Sequence, residues 1–295
     1  MSKIEKVAII GVGLIGGSLG LALKKRPSAR GHWKIIGAGR HIEKLRLAAR
    51  LGAVDAYTMD FSKAASMSDI VVICAPVKEI TPIIKRIITF IKPGTVITDT
   101  GSVKSQIVSE VGKFIGEKVY FVGAHPLAGS EKAGVLHSSA NLFENATVVI
   151  TEDKKKQFNR SAFNLIRKMW QDAGGRVIVM SPAEHDTLVA ATSHLSHVLS
   201  AALIGRIADC NKKEPRVKKL LAGSFRDLTR ISDSDPQNWA EICTLNSMNL
   251  RKEIHSYIRI LKKVIKILEG KKRIKYHKIK KYFEDMKKKR CQLLE

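Results

Sequence analysis

The sequence has few acidic residues, few aromatic residues and no long uncharged apolar run. A membrane-spanning helix needs about 18 consecutive apolar residues, and no such stretch occurs. The N-terminal residues lack the apolar core and the cleavage site of a signal peptide. The four cysteines form no Cys-x-x-Cys pair, which argues against a zinc ribbon or a disulfide framework. We therefore expect a cytoplasmic protein without a bound metal or a membrane partner.

The shortage of acid leaves a large positive charge. Lysine and arginine number 52 against 27 acidic residues, which gives a formal net charge of +25. The last 34 residues hold 14 of the basic residues and 4 of the acidic ones. Such a field favours anionic partners. Runs of like charge are usually solvated, however, and this segment has few aromatic side chains for stacking on bases. We expect a small anionic ligand, with nucleic-acid binding as the disfavoured alternative.

Apolar runs alternate with helical patterns through the first half of the chain. Short buried strands are predicted at 7–10, 34–37, 70–74, 95–98, 119–122, 146–150 and 177–180. Strands that alternate with helices indicate the α/β class and a doubly wound parallel sheet. After residue 181 apolar residues recur only at helical spacing, which includes one long predicted helix over 239–260. The strongly basic residues at the end, 269–295, are predicted to be a tail, either helical or loose.

A glycine-rich turn follows the first predicted strand and opens a helix. The hexapeptide Gly-Val-Gly-Leu-Ile-Gly over 11–16 has the spacing of a dinucleotide-binding loop. Gly11 would allow the tight turn, Gly13 the close approach of a pyrophosphate, and Gly16 the close packing of helix on strand. The N-terminus of the helix would then offer its amides to the phosphates.

The end of the second predicted strand bears on which dinucleotide is bound. A chain that binds NAD normally has an acidic residue there, which bonds the ribose hydroxyls. This sequence has Gly39 followed by Arg40, and an arginine suits the 2′-phosphate of NADP. We expect NADP rather than NAD; the alternative is a solvated Arg40 and a site that accepts both. The predicted cofactor-binding residues are Gly11, Gly13, Leu14, Ile15, Gly16, Arg40 and Pro76.

Three segments carry side chains suited to proton transfer or anion binding. Ser102 follows the fourth predicted strand, at the ligand-binding edge of the sheet, as either a hydroxyl donor or a helix N-cap. His125 ends the next strand and is either an acid–base group or a structural histidine. His197 shares one side of a helix with another histidine three residues before it, without a carboxylate or cysteine to complete a metal site. Arg226 and Arg230 either hold a carboxylate or lie on the surface.

Taken together, five motifs in this order resemble the prephenate/arogenate dehydrogenase family over about residues 5–260. They are Gly-x-Gly-Leu-Ile-Gly-Gly-Ser, Thr-Asp-x-Gly-Ser-Val-Lys, Ala-His-Pro-Leu-Ala-Gly-Ser-Glu, Ser-His-Leu-x-His and Phe-Arg-Asp-x-Thr-Arg-Ile. The resemblance implies a dinucleotide-binding Rossmann domain over 1–180, an all-helical substrate and dimerisation domain over 181–268, and a homodimer. Gly39 departs from the acidic residue of the NAD-type members, which puts NAD preference in doubt.

The resemblance also implies a reaction and the residues that perform it. The family oxidises prephenate to 4-hydroxyphenylpyruvate, with loss of carbon dioxide and hydride transfer to NAD(P), in tyrosine biosynthesis. By resemblance, His125 would accept the proton of the ring hydroxyl and Ser102 would orient that hydroxyl. Arg230 would hold the ring carboxylate, and His197 and Ser130 would help to bind the substrate. The alternatives are an arogenate dehydrogenase, which makes tyrosine directly, and another NADP-dependent oxidoreductase acting on a hydroxy acid or an imine.

Overall fold

The computed structural model describes residues 5–25, 33–130, 132–152 and 159–294. The strands are β1 (Lys6–Ile10), β2 (Lys34–Ala38), β3 (Ala56–Thr58), β4 (Ile70–Ile73), β5 (Val96–Asp99), β6 (Tyr120–Val122), β7 (Ala124–Pro126), β8 (Thr147–Thr151) and β9 (Arg176–Met180). The α-helices of the first half are α1 (Leu14–Lys25), α2 (Ile42–Arg50), α3 (Phe61–Ser66), α4 (Val77–Ile87), α5 (Ser105–Val111) and α6 (Arg160–Asp172). Those of the second half are α7 (Pro182–Val189), α8 (Leu195–Lys213), α9 (Gly223–Thr229), α10 (Pro236–Leu245), α11 (Ser247–Leu268) and α12 (Lys272–Leu294).

The main sheet is parallel throughout, in the order β3-β2-β1-β4-β5-β6. The direction of winding reverses between β1 and β4, and ligands bind in the crevice outside the carboxyl ends of such strands. Nearly every residue of β1 and β4 is buried, as expected for apolar strands covered by helices on both faces. The predicted doubly wound α/β fold is confirmed.

A second sheet departs from the prediction of one parallel sheet. In it β7 pairs antiparallel with β8, and β8 pairs parallel with β9. The sequence predictions found β8 and β9 as apolar runs but missed β3 and β7. Both missed strands are three residues long and, unlike the equally short β6, neither is a continuous apolar run. As a result, His125 lies in the middle of β7 rather than at the end of the preceding strand.

The second half is helical, as predicted, but one predicted helix is divided in two. The expected helix over 239–260 is instead α10 followed by α11, with Asn246 between them at φ −109° and ψ 25°. The buried side-chain amide of Asn246 donates to the carbonyl oxygen of Asp186 at 2.7 Å. This tertiary hydrogen bond stabilises the break between α10 and α11. Asparagine is also unfavourable inside a helix, because its side chain competes for backbone hydrogen bonds. Of the two alternatives for the basic tail, the helical one is observed as α12.

The chain forms two compact units, of which the first ends at Ser247 and the second begins at Met248. The first contains both sheets together with α7 to α10, and the second contains nearly all of α11 and α12. The predicted domain boundaries after 180 and 268 stay predictions, since compactness alone does not separate α7 to α10 from the sheets.

One helical run among the described residues, Pro182–Lys213, is long and apolar enough to cross a membrane by length and composition. It holds 32 residues, and 22% of its most apolar window is buried. A single run of this kind is weak evidence for a membrane span, because helices of soluble proteins pass the same test. A large apolar surface left exposed on one chain is also typical of a protein–protein interface.

Candidate active site

The turn between β1 and α1 has the geometry of a phosphate-binding loop. Gly11 has a φ of +97°, and a Cβ there would collide with the carbonyl group of Cys74. A Cβ on Gly16 would collide with the backbone of Gly11 and the side chain of Ile9. By contrast, a Cβ on Gly13 would meet open space. The loop is therefore packed tightly against the sheet on one side, and it leaves room for a pyrophosphate over Gly13 and the N-terminal amides of α1. The residues fit a dinucleotide.

A cavity of about 350 Å³ continues from this loop along one face of α4, whose N-cap is Pro76. Gly39 and Arg40, which follow β2, line the cavity. A second arginine, Arg86 of α4, also lines it and lies with its guanidinium 5.6 Å from the centre of the Phe61 ring. A cavity with two guanidinium groups in its wall suits a phosphate, which arginine binds through paired hydrogen bonds.

Three buried side chains form a hydrogen-bonded chain that begins at His125. Nδ1 of His125 lies 2.9 Å from Nε2 of His185, and Nδ1 of His185 lies 2.8 Å from Oδ1 of Asp186. Backbone amides hold the carboxylate at the far end: Lys104 N donates to Oδ1 at 2.7 Å and Ser105 N donates to Oδ2 at 2.9 Å. The first helix after the sheets thus supplies two groups that stand directly behind the strand histidine. We call the side chains of His125, His185 and Asp186 the relay.

The hydrogen bonds of the relay assign the protons on its rings. Burial alone would raise the pKa of Asp186, but hydrogen bonds from His185, Lys104 and Ser105 outweigh it and lower that pKa. Asp186 is therefore a carboxylate and can only accept, so His185 donates to it from Nδ1. In the tautomer whose one ring proton is on Nδ1, Nε2 of His185 accepts from His125. His125 then donates from Nδ1 and keeps an unshared electron pair on Nε2. Burial lowers the pKa of His125 well below its ordinary value, so the ring is neutral near pH 7.

This arrangement is that of a general base with an orienting partner. A neutral imidazole can take a proton at Nε2, while the hydrogen bond at Nδ1 fixes its tautomer and orientation. When His125 is protonated, its positive charge is stabilised by the carboxylate of Asp186, which lies on the far side of the His185 ring. The relay favours the acid–base interpretation of His125 over the structural one.

A second pair of histidines lies around Trp239. The ring of His197 stacks on the indole with centroids 3.6 Å apart, and His194 meets it edge-on at 5.9 Å. Both rings therefore share one side of their helix, as predicted. His197 Nδ1 donates to the carbonyl oxygen of Ser193 at 3.1 Å, which leaves Nε2 as an acceptor. Burial lowers the pKa of both histidines, that of His194 to about 4, so both rings are neutral near pH 7.

Ser102 does not cap a helix. It lies half-buried in a bend after β5, and α5 begins three residues later at Ser105, with Lys104 in the N-cap position. The N-cap alternative for Ser102 is therefore wrong. Its role as a hydroxyl donor to the substrate stays a prediction.

The other predicted substrate-binding residues lie in exposed or partly exposed turns. Arg230 begins a short 3-10 helix, Arg230–Asp233, which packs against α8 through a 2.7 Å hydrogen bond between the hydroxyls of Ser232 and Ser200. Ser130 is exposed, and its hydroxyl accepts from a backbone amide two residues further on, at 3.2 Å. Their roles in substrate binding stay predictions.

The sequence predictions missed the relay partners of His125. The motifs include neither His185 nor Asp186. The contact joins residues that are 60 positions apart and on different kinds of element, which no local periodicity can reveal. The available signal was an adjacent histidine and aspartate at the start of the first helix after the last strand.

Comparison with known proteins identifies related domains in both halves of the chain. The family model described as prephenate dehydrogenase, nucleotide-binding domain matches residues 19–179. The model described as prephenate dehydrogenase, dimerization domain matches residues 181–285, which extends beyond the predicted boundary at 268. The two models together span most of the chain.

Individual relatives cover most of the chain as well. The prephenate dehydrogenase of Lactococcus lactis is 37% identical over 82% of this chain and 65% of its own length, so the chain spans just under two thirds of that enzyme. The cyclohexadienyl dehydrogenase of Zymomonas mobilis is 33% identical over 90% of this chain and 88% of its own length. The structure of prephenate dehydrogenase from A. aeolicus with hydroxyphenyl propionate and NAD+ superposes with a TM-score of 0.87, at 31% identity and 99% coverage of both chains. Synechocystis arogenate dehydrogenase gives a TM-score of 0.80 at 27% identity, over 98% of this chain and 99% of its own.

Proposed function

The chain belongs to the prephenate dehydrogenase family, and from this premise we propose that it oxidises prephenate to 4-hydroxyphenylpyruvate with loss of carbon dioxide. The relay behind His125 is the observation that carries the proposal. Asp99, the last residue of β5, accepts a hydrogen bond from the amide of Ala124 at 3.2 Å. His125 is thereby anchored at the same edge of the sheet as the glycine loop after β1, because parallel strands end at one edge.

The chain's own residues bind and orient the substrate and move one proton. The nicotinamide cofactor, when bound over the glycine loop, supplies the hydride acceptor. His125 Nε2 takes the proton of the ring hydroxyl as the hydride leaves the same carbon, and it returns that proton to the oxygen once decarboxylation has made the ring aromatic. His185 and Asp186 hold the imidazole in the tautomer that can do so. Loss of the ring carboxylate makes the product aromatic, which provides the driving force. The remaining task of the protein is to hold the reacting groups in line, and positioning of this kind accounts for a large part of enzymatic rate acceleration.

The proposed activity is tested by a cofactor-reduction assay on the purified chain with prephenate, arogenate and simple β-hydroxy acids. Prephenate is expected to give the largest kcat/KM. Arogenate differs from prephenate by an amino group in place of a keto group, and a preference for it would change the substrate but leave the relay chemistry intact. Turnover of β-hydroxy acids without turnover of either cyclohexadiene would contradict the proposal.

We further propose that the cofactor is NADP in preference to NAD. Arg40 and Arg86 both line the cavity that continues from the glycine loop. The acidic residue of that cavity, Glu79, is on α4 and not at the end of β2 where a carboxylate would bond the ribose hydroxyls. Gly39 leaves that position without a side chain.

Gly39→Asp is expected to lower kcat/KM for NADP by about 10- to 100-fold, because a carboxylate would repel the 2′-phosphate and compete for Arg40. A Cβ at Gly39 makes only ordinary contact with Leu45 at 3.4 Å, so the substitution fits. The kcat/KM for NAD should stay the same or rise. Arg40→Ala should lower only the NADP value, and Arg50→Ala, on the exposed end of α2, is the matched control. An unchanged ratio of the two cofactors in Gly39→Asp would remove this assignment.

Arg230→Ala is expected to raise the KM for prephenate by about 10- to 100-fold, since a charge-assisted hydrogen bond to a carboxylate contributes about 1.5–3 kcal/mol. The change in kcat should be smaller. Arg216→Ala is the control, because Arg216 is exposed and pairs with Glu214 two residues away. Steady-state kinetics at saturating cofactor measure both constants, and an unchanged KM would mean that another group binds the ring carboxylate.

We also propose that the chain is a homodimer through its helical half. Large apolar side chains lie exposed on the described helices and turns of that half, among them Leu188, Ile204, Leu220 and Leu228. An apolar surface of this kind is commonly covered by a partner. The match of 181–285 to a dimerization domain supports a second copy as that partner. Sedimentation equilibrium should give the mass of two chains, and the mass of one chain would contradict the proposal.

A further inference from the structure

Lys104 is a fully buried lysine for which the relay itself has no direct use. Its side chain is 0% exposed, and so is that of Asp99, with which its ammonium group forms an ion pair. The same ammonium donates to the carbonyl oxygen of Ala124 at 2.9 Å. Burying two charges is costly even when they pair, and replacing such a pair by apolar side chains is often neutral or stabilising. Stability alone is therefore a weak reason for the pair.

The ion pair binds both backbone polar groups of Ala124, the residue before His125. Asp99 Oδ1 accepts from the amide of Ala124 at 3.2 Å, and Lys104 Nζ donates to its carbonyl oxygen. Ala124 is in β7, an edge strand that pairs with β8 on its other side. The carboxylate and the ammonium thus occupy the place of a neighbouring strand along this edge, and they fix the backbone from which the imidazole of His125 projects.

Lys104 also holds the opposite end of the relay. Its backbone amide donates to Asp186 Oδ1 at 2.7 Å, and the amide of Ser105 donates to Oδ2. One residue therefore binds the last member of the relay through its backbone, and the residue before the first member through its side chain. Movement of Lys104 would change the distance that His185 has to bridge.

We propose that Lys104, paired with Asp99, is a positioning residue for the general base: it sets the place of His125 relative to Asp186 and keeps the imidazole unprotonated. This inference deepens the proposed function and rests on it for the reaction. It adds a residue that touches neither substrate nor cofactor and acts through His125.

The charges around His125 account for the second part of the proposed role, which is to keep the imidazole unprotonated. Lys104 precedes α5, Asp99 ends β5, His185 and Asp186 are on α7, and His194 lies in the π-helical turn before α8. Burial is the largest cause of the lowered pKa of His125, and His185, Lys104 and His194, in their protonated forms, act in the same direction. Of these, Lys104 is the residue that forms an ion pair with a carboxylate: burial lowers the pKa of its ammonium group, and Asp99 acts against that shift.

The test compares Lys104→Met with the double variant Asp99→Asn/Lys104→Met in the full chain. The single variant removes the ammonium but keeps the backbone amide that binds Asp186. The double variant also removes the carboxylate, so no uncompensated charge stays buried, and it is expected to fold even where the single variant does not. Lys92→Met is the matched control, because it breaks an exposed lysine–aspartate pair, with Asp69, just before β5.

Two readouts separate positioning from mere stability. Titration of the His125 ring by NMR, without substrate, should give a higher midpoint in Lys104→Met, since a neighbouring cation has been removed, and a smaller rise in the double variant, which also loses the carboxylate. With prephenate, kcat should fall about 10- to 100-fold, as for a misplacement of about 1 Å, while KM changes less. The acid limb of the kcat/KM profile should move to higher pH.

Each outcome decides the inference. A folded double variant whose His125 midpoint and kcat equal those of the wild type would overturn it, and so would an equal effect of Lys92→Met. Wild-type protein that turns over neither prephenate nor arogenate would refute the proposed function, whereas the NMR midpoints would still decide whether Lys104 controls His125.

Discussion

Replacing His125 by asparagine is expected to lower kcat by about 10²- to 10⁴-fold, the usual contribution of a general base. The dissociation constant for the cofactor should be unchanged, because the glycine loop and the cavity along α4 do not include this residue. Asparagine keeps a hydrogen-bond donor that can reach His185, so the relay and the fold should survive. The loss is then specific to the unshared pair on Nε2.

Steady-state turnover and a fluorescence titration of cofactor binding measure the two constants of this variant. His277→Asn, at an exposed position of α12, is the control for the same chemical change. An ordinary rate in His125→Asn would remove His125 from proton transfer and would leave the relay as a structural network.

Asp186→Asn should have an effect of similar size, a fall in kcat of about 10³- to 10⁴-fold, as for the carboxylate of a comparable histidine relay. Three donors converge on this carboxylate: the ring of His185 and the amides of Lys104 and Ser105. An asparagine has a single acceptor oxygen, so its amide nitrogen would face one of these donors. The tautomer of His185, and through it that of His125, would no longer be fixed.

The pH profile of Asp186→Asn distinguishes it from the variants of Lys104. Loss of a carboxylate disfavours the protonated imidazole, so the acid limb of kcat/KM should move to lower pH, opposite to the shift expected for Lys104→Met. Asp209→Asn, on the exposed side of α8, is the control. An unchanged kcat in Asp186→Asn would show that His125 works without the carboxylate.

The sequence predicted those parts of the fold that local pattern determines. The strands β1, β2, β4 and β5 are apolar runs buried among helices, and the glycine loop has a fixed spacing, so both were located from the residues alone. The short strand β7 was missed because its three residues, Ala-His-Pro, do not form an apolar run. The division of the predicted long helix at Asn246 also depends on a hydrogen bond to Asp186, which only the folded chain brings within reach.

The candidate site divides in the same way. His125 and Arg40 follow recognisable strands, so their chemistry can be proposed from their positions in the sequence pattern. The roles of His185, Asp186 and Lys104 cannot be proposed in this way, because each acts through a partner that is 60 or more positions away or through a backbone amide. The alternative that Ser102 caps a helix was wrong for a related reason. Helix α5 starts at Ser105, and the carboxylate of Asp186, which lies on another helix, accepts from the backbone amide of Ser105.

The origin of the relay in two separate parts of the chain orders the events of biosynthesis. A chain that has been made only as far as β6 contains the glycine loop and α4, but it lacks residues 135–138 and α6, against which α1 packs. The imidazole of β7 acquires its orienting partners only when α7 has been made and has docked. Both the glycine loop and the relay therefore depend on segments made after β6, and the relay is completed last, when α7 docks.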